Sequence, residues 1–431
     1  MLLQFSVKNY KTFKDKATLS LIASNYDKGT REEDNIFINE KYGLRILKSA
    51  VVYGANASGK SKLIDAFSSM RYFVYKNFTE DLTQDRVNIQ PFRLNEETAN
   101  APSEFEIIFL LNGVMHRYGF EITPEKVVSE WLYCKPKTKE IELFFRGNSK
   151  YNTHKKLFSK GGVVAEQGFV RDNALLLSVA AQFNETIAIN IINWFQKEVQ
   201  VLSCLEEQGY RWLILEKAKD PAYRTKIMEL MKAADLGIQD ISLQKINITP
   251  KDAENKEVHD KKMVLPVVLT LHKQYNSYKE MVGGVVFSLN TEESAGTEKF
   301  FYLTAPILDI LENGNTLIVD ELGSSLHPKL IERIVSLFNS KEINPKNAQL
   351  IFTTHDTNLL STDLFRRDQV WFTEKNRYGE AKLYSLADFK SSKVRKGESY
   401  EDNYIKGKYG AVPFLADFDK LKNSSHYGKK K

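Results

Sequence analysis

Cysteine is scarce in this chain of 431 residues, which contains only Cys134 and Cys204. Two cysteines are too few for a disulfide framework or for a zinc site built on cysteine ligands. Long apolar runs are missing as well: no stretch of eighteen apolar residues occurs, so no membrane-spanning helix is expected. The first residues do not have the charged and apolar regions of a signal peptide. We therefore expect a cytoplasmic protein that makes no contact with a membrane.

The chain also has little net charge. Its 61 lysines and arginines stand against 55 aspartates and glutamates, which gives a net charge of +6. This balance is compatible with nucleic-acid binding but does not indicate it, and the basic run Lys429–Lys431 is expected to be a solvated tail. At this length we expect two lobes or one core with a large insertion.

The stretch Gly54–Ser61 fits the pattern G-x-x-x-x-G-K-[ST]. An apolar run at 46–53 before it predicts a buried strand, and residues 62–67 after it have the apolar spacing of a helix. A strand, a glycine loop and a helix form a phosphate-binding loop (P-loop), where backbone N–H groups and the helix dipole attract an anion. Lys60 would contact the β- and γ-phosphates of a nucleotide, and the Ser61 hydroxyl would hold Mg²⁺. The predicted nucleotide-binding residues of the loop are Gly54, Asn56, Ser58, Gly59, Lys60 and Ser61.

Strands and helices are arranged differently in the two ends of the chain. Near the N-terminus, residues 103–111 and 115–122 predict a hairpin that turns at Asn112-Gly113, and residues 127–135 and 140–146 predict a second one. After residue 290, predicted helices alternate with short apolar strands. Such alternation favours a largely parallel sheet flanked by helices. We therefore predict an α/β fold.

Two strands in the C-terminal part end in polar residues. Residues 316–319 lead into Asp320 and Glu321, the arrangement of a Walker B strand, in which Asp320 would bind Mg²⁺ and Glu321 would orient and deprotonate the attacking water. Residues 350–354 lead into His355, which would lie at the ligand-binding rim of the sheet and contact the γ-phosphate and the water. The structural alternatives are a strand-end turn with solvated acids and a capping histidine.

A second candidate anion site begins the helix near 297–312. Ser294 and Gly296 open this helix and would present its N-terminus to an anion. One subunit needs only one cradle for a triphosphate, so a second cradle suggests ATP held between two subunits. The alternative is an ordinary N-cap supported by Glu298.

The order of these motifs resembles that of the ATP-binding-cassette (ABC) ATPases of the RecF, SMC and overcoming-lysogenization-defect kind. The resemblance implies that Ser294–Gly296 is the signature motif, that Gly323–His327 is the D-loop and that His355 is the switch histidine. The signature departs from the family pattern, since it has Glu-Ser-Ala-Gly-Thr in place of Leu-Ser-Gly-Gly-Gln. Gln90 is a candidate for the nucleotide-contacting Q-loop glutamine, with a structural strand-edge role as the alternative.

The resemblance also implies a domain layout. It predicts an ABC-type ATPase head made from residues 1–123 and 265–431, with an inserted, mainly helical lobe at 124–264. The lobe would carry dimer or partner contacts. It has no sustained heptad repeat, so no long coiled coil is expected. Residues 249–262 predict a mobile loop.

Two further stretches, 364–372 and 407–413, resemble the stand-alone bacterial ATPases of the RloA/AbiLi group, which are linked to restriction loci and abortive infection. This resemblance implies an ATP-hydrolysing sensor or regulatory subunit that controls a partner nuclease or toxin encoded nearby. It also implies a homodimer or a higher homo-oligomer whose cofactors are ATP and Mg²⁺. Nothing in the sequence resembles a nuclease site, so no nuclease activity is expected in this chain.

Two alternatives to this function stay open. One is a RecF-like repair or recombination ATPase that acts directly on DNA, and the other is a scaffold whose ATP is never hydrolysed. The DNA alternative requires basic side chains that contact phosphates. The candidates are Lys155, Lys156, Arg171, Arg211, Lys390, Lys393, Arg395 and Lys396.

Overall fold

A largely parallel sheet and an antiparallel sheet organise the chain. The computed structural model describes residues 1–25, 28–79, 87–147, 150–203, 208–234, 236–248, 263–390 and 398–413. Within those residues the strands are, in chain order, β1 (Leu2–Lys8), β2 (Ala17–Ser20), β3 (Ile36–Asn39), β4 (Leu44–Leu47), β5 (Ser49–Tyr53), β6 (Ser103–Leu111), β7 (Val114–Ile122), β8 (Val127–Lys135), β9 (Ile141–Gly147), β10 (Lys150–Thr153), β11 (Val199–Ser203), β12 (Ile238–Ile248), β13 (Met263–Tyr275), β14 (Met281–Ser288), β15 (Thr316–Asp320), β16 (Gln349–Thr353), β17 (Val370–Lys375) and β18 (Ala381–Ser385).

The helices differ widely in length. In chain order they are α1 (Glu32–Asn35), α2 (Lys60–Thr79), α3 (Glu96–Ala99), α4 (Ser159–Glu166), α5 (Leu176–Gln182), α6 (Thr186–Asn193), α7 (Gln208–Lys217), α8 (Pro221–Ala233), α9 (Ala295–Asn313), α10 (Pro328–Asn339) and α11 (Tyr400–Ile405). A π-helical turn, Trp194–Glu198, continues α6. Among the described residues, none of the helices combines the length and the apolar character needed to cross a bilayer.

The largely parallel sheet has the strand order β11-β15-β16-β5-β17-β18, and only β18 runs antiparallel to its neighbour. Strands β5, β15 and β16 are buried at every position, as expected for parallel strands that are covered on both faces. Because these strands point the same way, the residues that follow β5, β15 and β16 meet at one edge of the sheet. This edge carries the P-loop, Glu321 and His355.

The antiparallel sheet has the strand order β10-β9-β8-β7-β6-β1-β2. Its β6–β7 hairpin turns at Asn112 and Gly113, whose φ angles are 50° and 68°. Two consecutive positive φ angles are typical of a type I′ turn, which matches the twist of the strands on either side. The hairpin predicted from this dipeptide is therefore present.

The segment predicted as an inserted lobe, 124–264, begins inside the antiparallel sheet. Strand β8 pairs with β7 along its whole length, from Met115 opposite Lys135 to Ile122 opposite Val127, and β9 and β10 extend the same sheet. The boundary drawn between residues 123 and 124 therefore cuts a hairpin, because strand pairing continues across it. Helices α4 to α8 do lie in this segment, but α5 packs on α2 and both α7 and α8 pack on α9. The predicted mobile loop, 249–262, lies outside the described residues.

The α/β fold class is confirmed, and the parallel sheet has a large apolar core on each of its two faces. One core includes α2, α5, α6 and the antiparallel sheet, where the rings of Phe5 and Phe67 lie 4.9 Å apart. The other includes α9, α10 and the opposite face of the parallel sheet. Helix α2 begins at the P-loop and buries residues from Leu63 to Val74 in the first of these cores, which makes the start of this helix a rigid support.

A buried carboxylate ties the antiparallel sheet to α5. Glu130 of β8 is 0% exposed and accepts hydrogen bonds from the backbone N–H groups of Leu176 (2.6 Å) and Leu177 (3.0 Å) and from the Tyr118 hydroxyl (3.0 Å). Burial raises the pKa of Glu130, and the nearby charge of Arg146 opposes this rise. The carboxylate thus caps the N-terminus of α5 from inside the core.

A smaller sheet of β12, β13 and β14 precedes the longest helix of the C-terminal part. Strand β13 pairs with both neighbours in antiparallel fashion. The chain leaves β14 at Ser288 and, after a turn, enters α9 at Ala295. The start of α9, which carries the predicted signature motif, therefore adjoins this small sheet.

Candidate nucleotide site

The P-loop lies between β5 and α2 in a conformation that needs glycine. Gly54 has a φ of +155°, and a Cβ atom there would lie 2.4 Å from the Thr373 carbonyl oxygen and 2.5 Å from Ser58 Oγ. The Ser58 and Thr373 hydroxyls lie 2.7 Å apart, so the loop is held against β17. The interior of the loop turns outward, since Asn56 is exposed. The loop is therefore anchored to the sheet while its tip is open to solvent.

Lys60 is the buried cation of the loop. It is 4% exposed, and its Nζ donates hydrogen bonds to the carbonyl oxygens of Gly54 (2.7 Å) and Ala55 (3.1 Å). Burial lowers the pKa of Lys60 to about 8, and the negative charges of Glu321 and Asp320 partly oppose this fall. The lysine of the loop and the two acids at the end of β15 therefore share one site.

The Walker B acids are held by a threonine that the sequence analysis does not identify. The hydroxyl of Thr353, at the end of β16, donates a hydrogen bond to Asp320 Oδ1 (2.6 Å) and accepts one from the Glu321 N–H group (2.8 Å). Glu321 has a φ of 56°, a left-handed conformation that costs a non-glycine residue about 1 kcal/mol or more. Such a turn depends on contacts that hold it in place, and Thr353 supplies one of them. In the sequence, the sign of this role is a threonine at the end of the apolar strand next to the Walker B strand.

His355 follows β16 at the same edge. Its side chain is exposed at the rim, and partial burial and the positive charge of Lys60 lower its pKa, against the opposing charges of Glu321 and Asp320. The structure thus brings His355 together with Lys60 and the two acids. Asp356, the next residue, begins a short turn and accepts the Asn358 N–H group (3.1 Å), so the capping role belongs to Asp356.

The proposed Mg²⁺ ligands fit a hard cation. Ser61, in the first turn of α2, offers a hydroxyl oxygen and Asp320, at the end of β15, offers a carboxylate oxygen, which are ligand types that Mg²⁺ prefers. The loop before Ser61 offers backbone N–H groups at the start of a twenty-residue helix, as phosphates require. In the described part of the chain, no group of three or more His, Cys, Asp or Glu residues could hold a metal ion by itself.

Ser294 and Gly296 lie at the start of α9, where the sequence predicts them. Ser294 is the N-cap residue, and its Oγ accepts the Thr297 N–H group (3.1 Å). This geometry is that of the N-cap alternative, although Glu298 pairs with Arg211 (2.8 Å) and not with the cap. Ser294 is exposed, and no hydrogen bond among the described residues joins it to the P-loop. The predicted signature is therefore not brought to the P-loop of the same chain.

The start of α9 packs on the predicted D-loop. A Cβ atom at Gly296 would lie 2.7 Å from the Ser325 carbonyl oxygen, and the buried Lys299 donates a hydrogen bond to the Ser324 carbonyl oxygen (2.6 Å). Ser325 has a φ of 68°. The predicted signature and the predicted D-loop thus form one surface. The D-loop part of it comes just after the Walker B acids in the chain. A cavity of about 720 Å³ lies beside it.

Gln90 contacts the loop after β1. Its side chain is exposed, and its carbonyl oxygen accepts the Lys11 N–H group (2.9 Å) in the loop after β1. The residue opposite Asp320 in the sheet is Ser203, the last residue of β11. This pairing could not be read from the sequence, because β11 and β15 are more than a hundred residues apart. The contact of Gln90 with Lys11 fits the structural alternative, and its role as the Q-loop glutamine stays a prediction.

The basic residues considered for DNA contact lie in different structural surroundings. Arg211 pairs with Glu298 and lies over the Tyr302 ring, 4.7 Å from its centroid, so it is part of the support of α9. Lys155 and Lys156 are exposed on the loop before α4. Lys393, Arg395 and Lys396 lie outside the described residues.

The stretch 364–372 has a structural role. Arg366 is 0% exposed and forms two hydrogen bonds with Asp368 (3.0 and 2.9 Å). Gln369 donates a hydrogen bond to the Ser49 carbonyl oxygen at the start of β5 (3.0 Å). These contacts hold β17 beside β5 and therefore stabilise the strand that leads into the P-loop.

Comparison with known proteins identifies the family. Residues 49–361 match the family described as "AAA domain, putative AbiEii toxin, Type IV TA system", a range that includes the P-loop, the signature, the Walker B acids and His355. No curated protein matches the chain. Among solved structures, the chain is similar to the SMC head domain from Thermotoga maritima at 12% identity and a TM-score of 0.40, over 89% of this chain and 98% of that one. A similarity of that size carries no argument about function. The family match covers well over half of the chain, and the protein therefore belongs to this family of AAA-type ATPase domains.

Proposed function

We propose that this chain binds ATP with Mg²⁺ and hydrolyses it to ADP and phosphate. The observation that carries the proposal is that Lys60, Asp320, Glu321 and His355 lie together at one edge of the parallel sheet. They are close enough there that the two acids affect the pKa of Lys60 and that Lys60 and both acids affect the pKa of His355. Groups that follow three different strands converge there, as phosphoryl transfer requires. The membership in a family of AAA-type ATPase domains supports the same activity.

Each group has a distinct role in this proposal. Lys60 and the loop N–H groups hold the phosphates, and Ser61 and Asp320 hold Mg²⁺, which neutralises charge on the phosphates when bound. Glu321 orients a water molecule and accepts its proton, and Thr353 keeps the Glu321 backbone in place. His355 hydrogen-bonds the terminal phosphate.

We extend the proposal to a head-to-head homodimer. The start of α9 offers an exposed Ser294 and the N-terminus of a nineteen-residue helix, a suitable surface for an anion, yet it makes no described hydrogen bond to its own P-loop. A second copy would receive this surface on its nucleotide, so that ATP joins two chains. The packing of the signature on the D-loop supports a single, preformed contact surface.

The biological role that we propose is that of a sensor or regulatory subunit in an anti-phage, abortive-infection system. ATP-dependent closure of the dimer would control a partner nuclease or toxin encoded nearby. The family description, with its reference to a toxin and a toxin–antitoxin system, and the resemblance of 364–372 and 407–413 to the RloA/AbiLi group support this role. Co-expression with the neighbouring reading frame tests it: phage protection should disappear with Lys60→Ala, and protection that survives this change would contradict the role.

Hydrolysis is tested by phosphate release from the purified chain. Glu321→Gln should reduce the rate by at least about 100-fold, since it removes the proton acceptor, while ATP binding persists. Glu125→Gln, the same change at an exposed acid outside the site, is the matched control and should leave the rate unchanged. Equal, near-zero rates in the parent chain and in Glu321→Gln would contradict hydrolysis and favour a scaffold with structural ATP.

A further inference from the structure

The glutamate just before Ser294 is tied to the small sheet. Glu293 Oε1 accepts a hydrogen bond from the Thr270 hydroxyl (2.5 Å) and lies 2.6 Å from His272 Nε2. Thr270 and His272 both belong to β13 and lie on the same face of it, since they are two residues apart in a strand. The Glu293 carboxylate is thus held by two side chains of a strand that precedes it by more than twenty residues.

These three side chains are shielded from solvent. The Glu293 side chain is 9% exposed and the His272 side chain is 18% exposed, and Thr270 is buried. The His272 ring packs on Phe287 of β14, with 4.8 Å between ring centroids. A carboxylate in such surroundings depends on its hydrogen bonds, because burial of a charged group without partners is costly. The link between Glu293 and β13 is therefore strong and directional.

This link acts on the helix start through one peptide unit. Ser294, the residue after Glu293, is the N-cap of α9, and its φ and ψ determine where the free N–H groups of the first turn point. The residues before it form a turn in which the Glu292 N–H group bonds the Ser288 carbonyl oxygen (2.9 Å). The signature is thus attached to β14 through the chain and to β13 through Glu293.

We propose that Glu293 is a positioning residue for the signature motif and that Thr270 and His272 are its supports. Glu293 stands where the usual signature sequence has leucine. Here it holds Ser294 and Gly296 in the orientation needed to contact the nucleotide bound to a second copy. The β12–β14 sheet and the signature consequently move as one unit. This inference rests on the proposed ATP-dependent dimer and names the residues that orient its contact surface.

The test uses the full chain with Glu321→Gln as the parent, so that bound ATP persists. Adding Glu293→Ala should weaken ATP-dependent association, measured by analytical ultracentrifugation over a concentration series, by at least about tenfold, since hydrogen bonds to a charged group are lost. Binding of a fluorescent ATP analogue to the P-loop of the monomer should stay within about twofold of the parent, since no described hydrogen bond joins Glu293 to the P-loop. Glu293→Gln keeps an acceptor oxygen and should recover most of the association.

A matched control comes from the neighbouring acid. Glu292 accepts the Ser288 N–H group (2.6 Å) but has no described side-chain hydrogen bond to β13, and Glu292→Ala should leave association unchanged. The double variant Thr270→Val, His272→Leu removes both hydrogen-bonding supports without a change in the signature segment, and it should weaken association as Glu293→Ala does.

Several outcomes would overturn the inference. Unchanged association in Glu293→Ala would do so, as would an equal loss in Glu292→Ala or a parallel loss of nucleotide binding that indicates general unfolding. If the Glu321→Gln parent itself does not associate with ATP, the proposed dimer fails and the inference fails with it. If the parent associates and Glu293→Ala does too, only the inference fails.

Discussion

The contact of Thr353 with both Walker B acids predicts a specific loss of catalysis. Thr353→Val keeps the shape of the side chain but removes the hydroxyl that bonds Asp320 Oδ1 at 2.6 Å and the Glu321 N–H group at 2.8 Å. A hydrogen bond to a charged group contributes about 1.5–3 kcal/mol. If this loss falls on the transition state, kcat decreases about 10-fold to about 150-fold, because about 1.4 kcal/mol corresponds to a factor of ten.

Steady-state phosphate release over a range of ATP concentrations measures this effect. KM should change little, because the P-loop is untouched, and Thr353→Ser should restore most of kcat, because it restores the hydroxyl. Thr316→Val is the matched control. Thr316 lies at the other end of β15, is buried, and donates a comparable hydrogen bond to Gln349 (3.2 Å), so its loss should affect stability and not kcat. The reasoning is refuted if Thr353→Val keeps the parent kcat or loses no more of it than Thr316→Val.

Three other changes have expected outcomes. Gly54→Ala should abolish ATP binding in an equilibrium assay, because its Cβ would lie 2.4 Å from a β17 carbonyl oxygen. Gly43→Ala, where nothing lies within 4 Å of the added Cβ, should retain binding. Retained binding in Gly54→Ala would contradict the steric argument. Since the pKa of Lys60 is lowered to about 8, ATP affinity should fall above pH 8, approaching about tenfold per pH unit as the free lysine loses its proton. Lys60→Arg should have a flat profile over this range, and an equally steep profile there would assign the titration to another group. Glu130→Ala should lower the free energy of unfolding by about 3 kcal/mol or more, since two N–H groups and a hydroxyl in the core lose their acceptor. A loss below about 1 kcal/mol in denaturant titrations would contradict this and show that the site reorganises.

Local features of the sequence predict much of this fold. The Asn112-Gly113 turn, the apolar strand before Gly54 and the apolar strand before Asp320 each depend on residues that are neighbours in the chain, and all three are present. The positions of the P-loop and the Walker B acids follow from them, because parallel strands place their carboxyl ends at one edge.

Features that depend on distant pairing could not be predicted in this way. The pairing of β8 with β7 makes 124–264 a continuation of the antiparallel sheet at its start, and no local pattern reveals that register. The contact between Thr353 and Asp320 joins residues 33 positions apart, and the strand that places Ser203 opposite Asp320 lies more than a hundred residues before it in the chain. The link from Glu293 to β13 is hidden for the same reason.

The dependence of the dimer on ATP tests the central claim most directly. The mass of Glu321→Gln should be measured by analytical ultracentrifugation with Mg-ATP, with Mg-ADP and without nucleotide, beside the variant that adds Ser294→Arg. The account predicts a dimer with Mg-ATP alone, and a monomer that still binds ATP once Ser294→Arg blocks the start of α9. A Glu321→Gln chain that binds ATP and stays monomeric at every concentration would contradict the account.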